Sequence, residues 1–315
     1  MRGQLRKFAK NIALLVPPVR GLVTERDRLQ QQVNDLHRAY QFAPPGHFYS
    51  PLPSLEEIRR DEEHLFGALP RQFSDLNLHE KKQLELLALL RSYYAEQPFP
   101  HHKTTDRRYF FQNAMYSYSD AIFLYCMIRH LRPRRIIEIG SGYSSAATLD
   151  TNELFFDNRI KCTFIDPFPD RLMSILKEGD EERIEVVPSR MQGVDLKLFS
   201  QLEENDILFI DSTHVAKIGS DVNRIFFEIL PALQPGVYIH FHDIFFPFEY
   251  PREWIFEGRA WNETYILRAF LAFNSAFEIV LWNEFLARFH REEFARFMPL
   301  CLLNEGGSIW LKRVR

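Results

Sequence analysis

Hydrophobic and polar positions along the chain fall into three successive patterns. Up to residue 41 the spacing is heptad-like: Leu22, Leu29 and Leu36 recur every seven residues, with Val33 and Tyr40 interleaved and Arg26 interrupting. A short coiled coil fits that spacing, and so does an amphipathic helix packed on its own domain. Pro44-Pro45-Gly46 ends the stretch, and 44–54 reads as a loop. From 54 to 131 helical spacing dominates. Ser54 followed by Glu57 has the form of a capping box for a helix over 55–66. Apolar positions 84, 86, 87, 89, 90, 93 and 94 predict a buried helix at 79–95. After a polar stretch at 101–106, Tyr109–Leu131 again has a helical preponderance of apolar residues.

Beyond Arg134 the pattern changes to short apolar runs separated by helical ones. Strands are expected at Arg135–Ile139, Lys161–Ile165, Ile184–Val187, Asp206–Ile210, Val237–His242, Phe277–Trp282 and Ser308–Lys312. Helices fit between them at 144–155, 170–178, 192–202, 215–233 and 262–274, with a further one over Glu284–Phe297. Seven strands alternating with helices predict an α/β fold with a mostly parallel sheet covered on both faces. The chain is thus divided into a basic, heptad-like helix (1–41), a helical cap region (42–104) and an α/β domain (105–315).

Composition narrows the function classes. Hydrophobic residues make up 46% of the 315 positions and charged residues 26%, enough for a sizeable core. A formal net charge of −3 gives no basic field, so nucleic acid is not an expected partner. Cys126, Cys162 and Cys301 are widely spaced within apolar stretches, as expected for buried free thiols in a reducing, cytoplasmic setting. No apolar run reaches the length needed to span a bilayer. Arg2, Arg6, Lys7 and Lys10 precede the short run Ile12–Val16, which suits weak contact with a membrane surface better than a signal peptide.

The sharpest chemical signal is the run from Ile136 to Ser145, in which a buried strand passes through Gly140-Ser141-Gly142 into a helix. Glycines let the backbone turn sharply and approach a ligand closely. A second strand ends in Asp166, roughly twenty residues further on, where a carboxylate can accept ribose hydroxyls. A dinucleotide site would want a third glycine where Ser145 stands, and Glu138 would sit poorly beside a pyrophosphate. An acid there suits a cationic amino-acid moiety instead. In this acid-x-Gly-x-Gly motif the chain resembles the class I S-adenosylmethionine-dependent methyltransferases, over roughly residues 105–315. The resemblance implies a Rossmann-like seven-stranded sheet, mostly parallel with the last strand antiparallel, behind an N-terminal helical extension. It also implies that Glu138, Gly140, Ser141, Gly142 and Ser144 line the methionine end of the cofactor. Asp166 would hold the ribose, Ser189-Arg190-Met191 would flank the adenine, and Asp211 would close the cofactor site.

Further on, Asp211-Ser212-Thr213-His214 follows the fourth strand and His242-Asp243 ends the fifth. This looks like the subfamily with Asp-x-x-His and His-Asp motifs, to which small-molecule and sugar O-methyltransferases are related. One departure is Gly236-Val237 where a double glycine is usual. Three readings of the cluster stay open. Asp211, His242 and Asp243 could bind a divalent cation, magnesium or manganese, although a histidine suits manganese, iron or zinc better than magnesium. Alternatively His214 or His242 is a metal-free general base, with Asp211 or Asp243 orienting the imidazole. In the third reading His214 and Asp243 merely cap a helix and a turn. Tyr116–Asp120, where family members contact the methionine carboxylate, His101-His102 as a metal pair, and an aromatic lid over Phe245–Trp261 are weaker candidates. Asn262-Glu263 reads as a helix N-cap.

These residues lead to O-methylation of a small molecule or sugar hydroxyl. Two readings compete with it: a metal-dependent oxygenase on a nucleotide-binding scaffold, and a non-catalytic binding protein that pairs or recruits partners through residues 22–40. An NAD-linked dehydrogenase is disfavoured by Ser145 and Glu138.

Overall fold

A computed structural model describes residues 17–39, 41–67 and 69–315. The basic residues between Arg2 and Lys10, the run Ile12–Val16 and Tyr40 lie outside the described residues. The chain folds as two compact units, 1–68 and 69–315, so the helix expected at 79–95 falls within the unit that holds the sheet. In the first unit α1 (Pro17–Ala39) is a single long helix. The helix expected over 55–66 is interrupted at Asp61, giving α2 (Leu55–Arg60) and α3 (Glu62–Phe66). Ser54 caps α2 by accepting a hydrogen bond from the Glu57 amide.

The second unit is built on a seven-stranded sheet. Its strands are β1 (Arg135–Ile139), β2 (Lys161–Ile165), β3 (Ile184–Val187), β4 (Ile207–Ile210), β5 (Tyr238–His242), β6 (Phe277–Trp282) and β7 (Ser308–Arg313). The spatial order is β3-β2-β1-β4-β5-β7-β6. The first five strands pair in parallel, and β7 inserts antiparallel between β5 and β6. Parallel strands are buried on both faces and so read as continuous apolar runs. β4, Ile-Leu-Phe-Ile, is the extreme case, buried at every position. Trp282, Trp310, Phe209 and Phe241 are fully buried and contribute much of the core.

Helices α4 (Glu80–Tyr94), α5 (Ser119–Leu131) and α6 (Tyr143–Phe156) pack in succession, α5 being buried along nearly its whole length. Short α7 (Asp170–Met173) follows β2, and α8 (Asp221–Arg224) runs through a π turn into α9 (Leu230–Ala232). After β5 come α10 (Arg252–Phe256), α11 (Glu263–Leu271), α12 (Asn283–Phe289) and α13 (Arg291–Phe297).

Several helices differ from expectation, each for a local reason. Residues 109–118 are not helical. Both the Arg108 and Tyr109 amides donate to the buried Asp150 carboxylate, and Asn113 Oδ1 accepts from the Met115 and Tyr116 amides. Such side-chain acceptors compete directly with the helical ladder. The segment expected at 192–202 is two 3₁₀ turns divided at Asp195, whose carboxylate accepts from the Lys197 amide. The segment expected at 215–233 becomes helical only at Asp221, because Asp221 and Asn262 hold the preceding loop in irregular form.

Candidate functional site

The sheet positions the site through its backbone ladder, which continues one step past the strand ends. The Gly140 amide donates to Ile165 O, the Asp166 amide to Val187 O, and the Asp211 amide to Ile139 O. Three expected site residues are therefore aligned along the C-terminal edge, where strand order reverses between β1 and β4 and open α/β sheets bind ligands. Gly140 has φ +82°, and a Cβ there would sit 2.2 Å from the Asp211 carbonyl oxygen, so only glycine fits.

Two cavities open along this edge and share Asp211, Ser212 and Thr213 in their walls. The larger, about 550 Å³, is lined by Gly140, Asp166, Ser189, Arg190 and Met191, among others. The smaller, about 280 Å³, is lined by Ser141, Gly142, Ser144, His214, His242 and Asp243, with Tyr116, Tyr143 and Trp261 forming an aromatic wall.

Glu138, on β1, is fully buried and bonded to Ser144, which lines the smaller cavity. Its Oε1 accepts from the Ser144 and Ser145 hydroxyls at 2.6 and 2.8 Å, and its Oε2 has no donor among the described residues. Burial pushes its pKa up to about 8, with the two hydroxyls only partly offsetting this. A buried carboxylate oxygen without a donor is the complement of a cationic amine, so this residue fits the amino-acid end of S-adenosylmethionine. Asp166 sits at the mouth of the larger cavity. Its Oδ2 accepts from the Ser141 amide and hydroxyl, and its Oδ1 from the Phe168 amide.

At the β4 and β5 tips the loops bring together more than the motifs implied. Nδ1 of His214 lies 2.8 Å from Glu263 Oε2, and its Nε2 is 3.2 Å from Asp211 Oδ1 and 3.6 Å from Asp243 Oδ2. Burial opposes the charged imidazolium, but the Asp211 and Glu263 hydrogen bonds outweigh it and hold the His214 pKa well above its usual value. Burial likewise raises Asp211, and the His214 hydrogen bond reverses this to keep it below the usual carboxylate range. Asp243 is raised by burial, which His242 and His214 do not overcome. Both His214 (φ +58°) and Asp243 (φ +57°) adopt the left-handed backbone, a cost of about 1–3 kcal/mol each that clusters at functional sites. The His214 carbonyl accepts from the Asn262 and Glu263 amides, and its ring lies 4.4 Å from that of Trp261.

Among the described residues, the three side chains able to share one metal ion are Asp211, His214 and Asp243, whose ligand atoms all lie within 4.8 Å of one another. His242 stands beside this group rather than in it. Its Nε2 is 3.5 Å from Asp243 Oδ1, its Nδ1 has no partner, and its ring meets Tyr116 edge-on at 5.0 Å. His214, on the loop after β4, thus takes the place beside Asp211 and Asp243 that the sequence gives to His242. The capping role considered for His214 belongs instead to Ser220, which caps α8.

The match of residues 137–244 to a family model described as a methyltransferase domain spans β1 through β5 and every motif named above. Residues 137–244 are therefore a methyltransferase domain. The methyltransferase is 36% identical over 172 residues to an uncharacterised protein of Archaeoglobus fulgidus, a match covering 52% of this chain and 75% of that one. Among solved structures it is similar to the S-adenosylhomocysteine-bound Podospora anserina methyltransferase PaMTH1. That similarity has 16% identity, covers 84% of this chain and 99% of the other, and gives a TM-score of 0.43. It is also similar to the Streptomyces achromogenes O-methyltransferase TomG in complex with S-adenosylmethionine (14% identity, 82% and 96% coverage, TM-score 0.41).

Sequence reasoning missed two residues of the methyltransferase site. Glu263 was hidden behind Asn262, which looks like an N-cap. Asn262 does stand at the N-cap of α11, but its side chain accepts from the Ala216 amide at 2.6 Å rather than capping the helix, and Glu263 is wholly buried against His214 and Ser212. Arg171, on α7, lines the smaller cavity, and its pattern carries no signal beyond an ordinary surface arginine. The weaker candidates divide. His101 and His102 are exposed. Tyr116 reaches the smaller cavity, whereas Asp120 is spent on Asn283, Gly307 and Ser308. Phe246 and Phe248 pack into the core against Trp282, leaving Trp261 as the part of that aromatic segment that faces the site. All three cysteines are buried free thiols, and no described helix is long and apolar enough to cross a membrane.

Proposed function

We propose that this chain methylates a hydroxyl oxygen of a small molecule or sugar, with His214 accepting the hydroxyl proton and Glu263 orienting its ring. The observation that supports this most is the Glu263–His214–Asp211 alignment, in which His214 lines the smaller cavity and Asp211 stands in the wall shared by both. When bound, S-adenosylmethionine supplies a methyl group on a cationic sulfur, and transfer asks the protein only for alignment and removal of one proton. In this reading Gly140, Ser141, Gly142 and Ser144 cradle the methionine end, with Glu138 receiving its ammonium group. Asp166 binds the ribose, Ser189, Arg190 and Met191 flank the base, and Asp211 borders cofactor and acceptor together. Glu263 keeps the Nδ1 proton of His214 in place, leaving Nε2 toward the acceptor, as in other carboxylate–histidine pairs. Asp211 and Asp243 stabilise the imidazolium once it forms, and His242 supports Asp243. Because these carboxylates hold the His214 pKa well above its usual value, only the deprotonated imidazole acts as base and the rate rises with pH.

The smaller cavity has an aromatic wall and a polar floor, which suits a polyhydroxylated acceptor. Neither its walls nor the net charge of −3 favours nucleic acid. A cytoplasmic location is part of this reading and rests on the three unpaired thiols.

A second reading has its own observation in the 4.8 Å grouping of Asp211, His214 and Asp243. A divalent cation held there would orient acceptor oxygens and lower a hydroxyl pKa, and Glu263 would then fix the ligand histidine from behind. Two carboxylates and an imidazole suit manganese, iron or zinc better than magnesium.

Calorimetric titration of metal-stripped protein with S-adenosylhomocysteine, with and without magnesium or manganese, tests both readings. Micromolar affinity unchanged by metal favours the metal-free base, and a metal-dependent change favours the ion site. In the Asp166→Ala protein affinity falls more than about tenfold, the loss of a charge-assisted hydrogen-bond pair. Undiminished affinity in that variant would remove Asp166 from the ribose site.

A further inference from the structure

Helix α1 carries an exposed apolar seam. Val19, Arg26 and Val33 recur at one heptad position, and Leu22, Leu29 and Leu36 at the other. Leu22 is 72% exposed, Leu29 49%, Val33 43% and Leu36 57%. Gly21 in the second turn weakens the helix, and burying the apolar seam against a partner offsets that cost.

The width of the stripe identifies the kind of partner. A helix packed on a globular domain or lying on a membrane presents about three apolar positions in seven, whereas a two-in-seven stripe is the seam of a coiled coil. Val23 adds a third apolar position in the first heptad only, and the rest of α1 interleaves Arg20, Arg28 and Arg38 with Glu25, Asp27 and Asp35, unlike the basic polar face of a membrane-surface helix. The side-chain types identify the assembly. Valine at the first core position with leucine at the second favours two parallel strands, and one charged residue in the core fixes the register.

We propose that α1 pairs with α1 of a second copy of this chain as a parallel, in-register, two-stranded coiled coil. In register, Arg26 of each helix lies beside Glu25 of the other, which answers the one charge in the core. An antiparallel pairing sets Arg26 against Leu29. The flanking positions Gln30 and Gln32 bring no like charges together across the parallel seam.

Sedimentation equilibrium of the full chain tests this together with its Leu22→Lys/Leu29→Lys and Leu29→Asn variants, each checked by circular dichroism and S-adenosylhomocysteine binding. The native chain is expected to be a dimer. The lysine variant should dissociate at least about tenfold more readily, as burying unpaired charge requires, while binding the ligand as before. The Leu29→Asn variant should show the same direction without added charge. Because the three native cysteines are buried, Leu22→Cys gives a clean single-site probe that should oxidise to a cross-linked dimer. A native chain that stays monomeric at all concentrations would overturn the proposal, as would a dimer untouched by both seam variants. Preferential cross-linking of a Leu22→Cys and Leu36→Cys mixture would overturn the parallel register. Seam-dependent binding of the monomer to anionic vesicles would show a membrane partner instead.

Discussion

Two regions of this protein gather acidic side chains around a buried central cation, and they differ in what they leave open. In one, Arg108 is clasped by Asp150, Glu153 and Asp180. Its Nε and Nη2 donate to Asp180 at 2.7 and 2.5 Å, and its Nη1 donates to Asp150 and Glu153 at 2.8 and 2.6 Å. Lys177 adds a second cation on Glu153. Arginine stays charged at any accessible pH and its fork satisfies the carboxylates geometrically, so the cluster is closed and ties residues 105–109 to α6. In the other region the cation is an imidazole, surrounded by Asp211, Asp243 and Glu263, and Asp211 keeps about a third of its side chain (37%) open to the cavities. A titratable cation facing a cavity can exchange its proton with a ligand, which Arg108 cannot. Buried acid therefore does not mark a site by itself; the chemistry of the cation and its access to ligand do.

Substitution at each cation breaks the comparison most directly. His214→Gln should lower kcat by about 10³-fold, within the range for loss of a general base, while S-adenosylhomocysteine still binds. A rate near the native value would assign the proton to another group. Arg108→Met should have the opposite profile: about 3–5 kcal/mol less stability by denaturant unfolding, from carboxylates left unpaired, with kcat unchanged in the folded protein. Loss of turnover without loss of stability would place Arg108 in the site.

Glu138 sharpens the contrast as a buried acid with no cation at all. Its pKa is pushed up to about 8 from an ordinary 4.5. Between those values the folded protein keeps a proton that the unfolded chain releases, so the Glu138 contribution to stability declines as pH rises through that window. Binding an ammonium group requires the carboxylate. S-Adenosylhomocysteine affinity should therefore increase from pH 6 to 8, by at most about tenfold per pH unit, with proton release detectable in buffers of different ionisation heat. The Glu138→Gln variant should lose this slope, and an affinity flat with pH in the native protein would count against the contact.

The strands were readable almost to the residue. Lys161–Ile165 and Ile184–Val187 coincide with expectation, because a strand buried on both faces is a short apolar run bounded by turn residues. The Gly140 turn and Asp166 were legible for a related reason, since both are set by the backbone of a strand and the residue that ends it. Residues 109–118 were misread as helix because apolar content says nothing of Asp150, distant in sequence, capturing two amides.

By itself the sequence determined the order of strands and helices and the heptad spacing of α1, since each follows from local spacing of side chains. Only the tertiary structure decided which histidine meets which carboxylates. Glu263 reaches His214 across 49 positions of chain, and His214 rather than His242 completes the grouping with Asp211 and Asp243. Electrostatic partnership depends on distances of a few ångströms between separate elements, and spacing along the chain does not encode such distances until packing has set them.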